Sequence, residues 1–326
     1  MLRLKLWLLL LIGILSSLQL VHAQTAQNPP DVTSQLEVLG QPTLEQYSRR
    51  QDAFARNVWD LEVFEGRIYI ASGNAYSNVP GGAAGPINVW YFDPTTGQFA
   101  YDVGVHEDQI EHFVVIDDTL FVPGYDKRGS WQKGNIYFLR DDTWQGWSNV
   151  PRAVHVFDVI AFKGRYFAAI GSDNSEGFTL VSAEDGTRWQ RHVLPPELRD
   201  DFPITVAWEL FEVGDRLFLS VRPAGSLLQA SFEDGTSELS FQSISNSIYE
   251  VIYRNGAVTF NSPVTDFFAG SITDPAEQIL ARVVRPVKFG EDTIYIGALQ
   301  PQASHWQGFG LFSINASLVP QKYTFE

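Results

Sequence analysis

Five side chains able to carry charge, Asp60, His112, Asp158, Glu209 and Glu250, fall at one position of a repeated strand–turn–strand pattern, and Pro286 takes that position in a sixth copy. Stacked carboxylates are hard oxygen donors, the kind that hold a divalent cation such as calcium. Asp60, Asp158, Glu209 and Glu250 are therefore the expected metal set. His112 stands in the same column and His155 lies close to Asp158, so these two are the expected proton-transfer groups, imidazole being suited to that work near neutral pH. The residues just before the column are Trp59, Glu111, Phe157, Trp208, Tyr249 and Arg285. Side chains alternate along a strand, so the aromatic column suits a packed space and the acidic column a watery one. The competing expectation is structural: the same carboxylates would accept hydrogen bonds from turns and from the backbone of neighbouring repeats.

A second candidate set lies on longer segments. Tyr76, Trp131 and Trp306 offer rings that stack on a sugar or anchor a protein partner. Asn74, Asn78, Asp126, Lys127 and Asp173 supply polar contacts around them. Four histidines, His106, His112, His155 and His305, map to these segments or to the strand ends beside them, whereas His192 falls within a strand. Long loops over a rigid scaffold commonly carry binding and catalysis, so this face is the expected working face.

What must position these residues is a repeat. Val58–Ile70 and Val156–Ala168 are its clearest copies, and the second turn residue of each copy falls at 66, 118, 164, 215, 256 and 292. Units of this length bury their faces only by stacking on neighbours. Each unit continues from its first hairpin into a second, as in Ile87–Phe92 and Gln98–Val103. Four strands per unit and six units predict an all-β, six-bladed β-propeller of four-stranded antiparallel blades over residues 58–326. With strands lettered a to d from the axis outward, the a–b and c–d turns are short. The b–c and d–a loops on the opposite face are long, for example Gly73–Pro86, Gly124–Gly134 and Gly104–Gln109. Residues 24–57 lack the repeat and read as a lead-in segment. Residues 1–23 read as a signal peptide: Arg3 and Lys5, an apolar run from Leu6 to Leu18, then small residues before Gln24.

One segment carries a family resemblance. Ser182-Ala183-Glu184-Asp185-Gly186-Thr187-Arg188-Trp189 resembles the Asp-box of sialidases and related propellers, with Glu184 and Arg188 departing from the pattern. The Asp-box is a structural hairpin between strands c and d, so the resemblance implies the fold. It brings no activity, because the Phe/Tyr-Arg-Ile-Pro segment of sialidases has no counterpart here. The acidic column is similar in outline to the axial calcium site of six-bladed lactonases and phosphotriesterases, whose ligands lean on Asn where this column has none. The chain as a whole is similar to exported propeller-repeat proteins.

Composition narrows the function classes. The chain has no cysteine, so no disulfide supports it, and its 44% hydrophobic content must supply the core. The net charge is −15, and loss of Arg3 and Lys5 with the leader subtracts two more to give −17. Such a charge excludes nucleic acid as a favoured partner, and no membrane insertion is expected after leader cleavage. The expected protein is secreted or periplasmic and binds a glycan or an extracellular or envelope protein through its long-loop face. The alternative is a metal-assisted hydrolase or lyase with its site at the mouth of the axial channel.

Overall fold

The computed structural model describes residues 37–42, 57–74, 85–127, 133–172, 178–193, 204–224, 231–232, 239–240, 247–254, 257–261, 267, 279–301 and 307–323. The chain divides into two units, Leu39–Tyr323 and a smaller one of Met1–Val38 with Thr324–Glu326. Of the smaller unit only Glu37 and Val38 are described, and the following concerns the larger.

Every described element is a strand. The first sheet is β1 (Asp60–Phe64), β2 (Arg67–Ala71), β3 (Ile87–Asp93) and β4 (Gln98–Val105), paired in that order. After β5 (Glu107–Gln109), the second sheet takes β6 (Val114–Ile116) and β7 (Thr119–Pro123). Beyond β8 (Tyr125–Lys127) it adds β9 (Lys133–Arg140) and β10 (Thr143–Pro151). The third is β11 (Ala153–Phe162), β12 (Arg165–Ser172), β13 (Phe178–Ala183) and β14 (Gln190–Val193). The a–b turns form as their residues dictate. Glu65-Gly66, Asp117-Asp118 and Lys163-Gly164 all have positive φ at both positions, the geometry that matches strand twist in a two-residue hairpin.

The fourth sheet departs from the repeat. It contains β15 (Ile204–Val213) and β16 (Arg216–Ala224), then a two-stranded ribbon intervenes, β17 (Ser231–Phe232) with β18 (Leu239–Ser240). The sheet resumes with β19 (Ser247–Arg254) and β20 (Ala257–Asn261). Leu217 of β16 pairs with Val251 of β19, so the strand expected to open a fifth unit is the third strand of the fourth sheet. The last sheet is β21 (Ile279–Phe289), β22 (Asp292–Pro301), β23 (Gln307–Ile314) and β24 (Gln321–Tyr323). The described residues thus form a β-propeller of five four-stranded sheets, which corrects the expected count of six among them. Two successive hairpins of similar length and apolarity fill one sheet as well as a hairpin pair from a single unit does, since strand pairing is non-local.

A second correction concerns two segments expected to be open loops. Within Gly104–Gln109 and Gly124–Gly134, β5 and β8 pair as a ribbon, Glu107 opposite Lys127 and Gln109 opposite Tyr125.

Aromatic and aliphatic side chains fill the spaces between successive sheets. Phe64, Tyr69 and Val89 of the first sheet pack with Phe113, Leu120 and Val122 of the second. Phe121 and Phe138 of the second pack with Val159 and Ala168 of the third. Phe157 and Phe167 of the third meet Leu210 and Leu219 of the fourth. Phe211 and Phe218 of the fourth meet Tyr295 and Phe312 of the fifth. Among the described residues no such cluster joins the fifth sheet to the first. The Asp-box-like hairpin is structural, as expected: Asp185 Oδ1 accepts from Thr187 N and Oγ1. Asn149 of β10 clamps the hairpin through Gly186 O, Thr187 O and Trp189 Nε1.

Candidate functional site

The innermost strands of the five sheets surround a cavity of about 770 Å³. Its walls are Asp60–Glu62, the stretch from His112 to Asp117, Asp158–Ala161, Glu209–Glu212 and Arg285–Lys288. The stretches of β11, β15 and β21 run from mid-strand toward the a–b turn. Those of β1 and β6 begin at or just before the strand and run the same way, and Asp117 belongs to such a turn. The cavity therefore extends toward the short-turn side of the fold, whereas the long-loop side was the expected working face.

His112, Asp158 and Arg285 organise its inner end. His112 Nε2 lies 3.1 Å from Asp158 Oδ1, with both residues buried. Asp158 Oδ1 also accepts from Val159 N at 2.7 Å, and Oδ2 accepts from Leu210 N at 2.7 Å. One carboxylate thus joins the second, third and fourth sheets. Asp60 makes the equivalent link between the first and second sheets, Oδ2 accepting from Phe113 N at 2.9 Å. Arg285 reaches across from the fifth sheet, donating through Nη2 to Glu111 O at 2.5 Å and Trp59 O at 3.3 Å. It sits at a register shift between Val284 and Val287 with φ of 51°. This is a left-handed conformation that non-glycine residues avoid unless the surroundings hold it.

Burial pulls the His112 imidazole down most strongly. The hydrogen bond and charge of Asp158, helped by Glu209 and opposed by Arg285, nevertheless raise its pKa above the ordinary histidine value. Near the cavity's outer end, burial raises Glu62, and the neighbouring Asp60 charge raises it further. Burial raises Glu212 as well, against the pull of Lys288 and Lys163. Lys288 Nζ is 3.8 Å from Glu212 Oε2. The lining thus offers many fixed acceptors and few cations.

Other expected site residues fall elsewhere. Glu250 is on β19, the third strand of its sheet, opposite Phe218 and Asn261. It is not in the axial column, which corrects the four-carboxylate metal set. Glu209 is in the axial wall and buried. Among the described residues no three His, Asp or Glu side chains stand together as metal ligands, and Asp60 and Asp158 accept from backbone amides. His155 is apart from His112: its ring lies 5.0 Å from Tyr125 and 5.3 Å from Phe157, which stacks on Trp208. Burial lowers its pKa to about 4, and its Nδ1 is buried with no hydrogen-bond partner among the described residues. His155 is therefore neutral at pH 7 and embedded in an aromatic cluster.

On the long-loop side, Asn74 is buried, its N–H donating to Asp108 O at 2.8 Å. Asp126 and Lys127 lie on β8. Tyr76, Asn78, Trp131, Asp173 and Trp306 lie outside the described residues. Arg285, Glu62, Glu212 and Lys288 were missed by sequence reasoning as members of a site. Arg285-Pro286, which breaks the repeat's column, was the one signal available for the first of them.

Fold and site together define a β-propeller whose axial cavity carries carboxylates from four sheets. No family model matches the chain, and no curated protein matches it. Among solved structures it is similar to the GH93 alpha-L-arabinofuranosidase of Fusarium graminearum in complex with arabinobiose. That match has 11% identity, covers 81% of this chain and 80% of that one, and has a TM-score of 0.45. The Penicillium chrysogenum alpha-L-arabinanase complexed with arabinobiose matches at 13% identity, 81% and 78% coverage and a TM-score of 0.43. The N-terminal domain of Nup159 matches at 9% identity and a TM-score of 0.42; the match covers 82% of this chain and 61% of that one.

Proposed function

We propose that the protein is a ligand-binding propeller whose site is the axial cavity, and that its ligand is a small saccharide. The observation that carries this reading is the convergence of carboxylates from four sheets on one cavity of about 770 Å³. That volume suits a small molecule rather than a protein surface, and carboxylates are acceptor-only groups that match a ligand rich in hydroxyl donors. Glu62 and Glu212, nearer the a–b turns, are the recognition residues, and Arg285 closes the inner end. The leader read from residues 1–23 would deliver the protein to an exported location where such ligands occur.

The test is calorimetric titration with a panel of mono- and disaccharides. Glu62→Gln combined with Glu212→Gln is expected to weaken binding by about tenfold or more, the effect of losing charge-assisted hydrogen bonds, while thermal unfolding stays cooperative. Absence of saturable binding across the panel overturns the proposal.

The His112–Asp158 pair favours a second reading, in which the same cavity hydrolyses its ligand. His112 would transfer the proton and Asp158 would hold the ring. New reducing ends produced by the native protein and lost in His112→Asn would establish it. Binding without turnover would leave the protein a receptor.

A further inference from the structure

The first sheet carries a second cavity, and unlike the axial one it has no charged residue in its lining. β-Strand alternation puts Leu61 beside Ile70 and Val63 beside Ile68, then Ile68 beside Phe92 and Phe92 beside Phe99. The result is an unbroken apolar stripe on the side of the sheet facing away from the second sheet. In the second, third and fourth sheets both faces are packed against a neighbour's side chains. Here Leu39–Pro42 form a wall over some of the stripe and enclose about 500 Å³ with Val58, Ile70, Phe92 and Phe99. The wall is fitted closely: a Cβ added at Gly40 would stand 2.8 Å from the Phe99 ring. No charged residue lines the cavity, and Gln41 and Ser72 are its only polar side chains among the described residues.

Water gains few partners in such a space. Apolar cavities accept hydrocarbon guests, and this one, of about 500 Å³ and open to solvent along Leu39, Val58 and Leu61, has room for a chain. We propose that it is a binding site for the hydrocarbon portion of an uncharged ligand, an alkyl or acyl chain without an anionic head. The apolar lining selects the chain, and the net charge of −15 disfavours an anionic head. The site is distinct from the axial cavity, and Leu61 is the residue common to both linings.

The experiment titrates the full chain with 1-alkanols from hexanol to dodecanol. Affinity is expected to tighten about fourfold per added methylene until the cavity is filled. Leu39 and Val58 are 56% and 57% exposed, so Leu39→Glu and Val58→Glu should fold normally and weaken dodecanol binding by about tenfold or more. Saccharide binding in the axial cavity should be unchanged in both variants, so the two proposals fail separately. Affinity independent of chain length, or unaltered in both variants, overturns the inference. Sedimentation showing a dimer that the variants dissociate overturns it in favour of a second copy covering the stripe. Pelleting with phosphatidylcholine vesicles that the variants abolish overturns it in favour of a bilayer surface.

Discussion

The four spaces between successive sheets and the outward sides of the first and fifth sheets are built from the same kinds of residue, yet they end in different states. Between the second and third sheets Phe121, Phe138, Trp147 and Tyr166 interlock with ring centroids 4.9–5.7 Å apart. On the outward sides of the first and fifth sheets, Val63 and Leu61 are 66% and 58% exposed, and Phe289 and Val287 are 72% and 60% exposed. The contrast teaches that an apolar stripe on a strand is a statement about capacity to pack. Whether the capacity is used depends on a neighbour arriving. The seam is spanned at its axial end by Arg285, whose two hydrogen bonds tie the fifth sheet to the inner edges of the first two. Apolar faces that stand exposed among the described residues mark sites of interaction, and the hydrocarbon site lies on one of them.

The sharpest break of this comparison is a matched pair of truncations. Phe121→Ala is expected to lower unfolding free energy by about 3–5 kcal/mol, since Phe121 is fully buried. Phe289→Ala should stay within about 0.5 kcal/mol, as exposed substitutions do. Denaturant unfolding measures both. Equal losses would mean that the seam is packed in solution.

Removal of the axial link probes the seam from its other end. Arg285→Met removes both hydrogen bonds of a charged donor and should cost about 1.5–3 kcal/mol. Hydrogen exchange should accelerate in β1 and β21 more than in β11. Uniform acceleration would mean that Arg285 acts on general stability rather than on the seam.

Acid should distinguish the filled interfaces from the axis. His155 and His192 both have pKa values lowered to about 4 from 6.5, chiefly by burial. Both bind protons more weakly folded than unfolded. Between pH 6.5 and about 4 the unfolded chain takes up more protons, so stability falls as the pH is lowered, by on the order of a few kcal/mol in all. His112, raised by Asp158, works in the opposite sense: its contribution is complete below pH 6.5 and is lost as the pH rises through its folded value. Stability measured from pH 8 to 4 should show His192→Gln flattening the acid limb. An unchanged limb in that variant would mean that His192 does not carry the acid dependence.

The smallest effect concerns metal. Asp60 and Asp158 have committed oxygens to Phe113, Val159 and Leu210 amides, so chelator against millimolar calcium should move the melting temperature by less than about 1 °C. A shift of several degrees, the size a saturated metal site gives, would restore the axial cation reading.

Much of this architecture is legible in the chain. Alternating apolar residues and turns of Gly, Asp and Asn locate the four main strands of each of the first three sheets, because side-chain period and turn geometry are local properties. The acidic position of the innermost strands is legible too, and Asp60 and Asp158 make the backbone hydrogen bonds expected of a recurring propeller Asp. Partner choice was not legible. β19 has the pattern of an innermost strand and lies third in its sheet, because pairing is settled by competition between distant segments of equal local quality. For the same reason Glu250 leaves the axis and β5 and β8 meet as a ribbon.

The direction in which the axial cavity opens, and Arg285 crossing it on a left-handed backbone, follow from five strands meeting at once. The amino-acid sequence determined that this protein would be made of twisted antiparallel hairpins with two apolar faces. The tertiary structure alone decided which faces would be filled, because burial is a property of pairs of surfaces and a sequence specifies only one surface at a time.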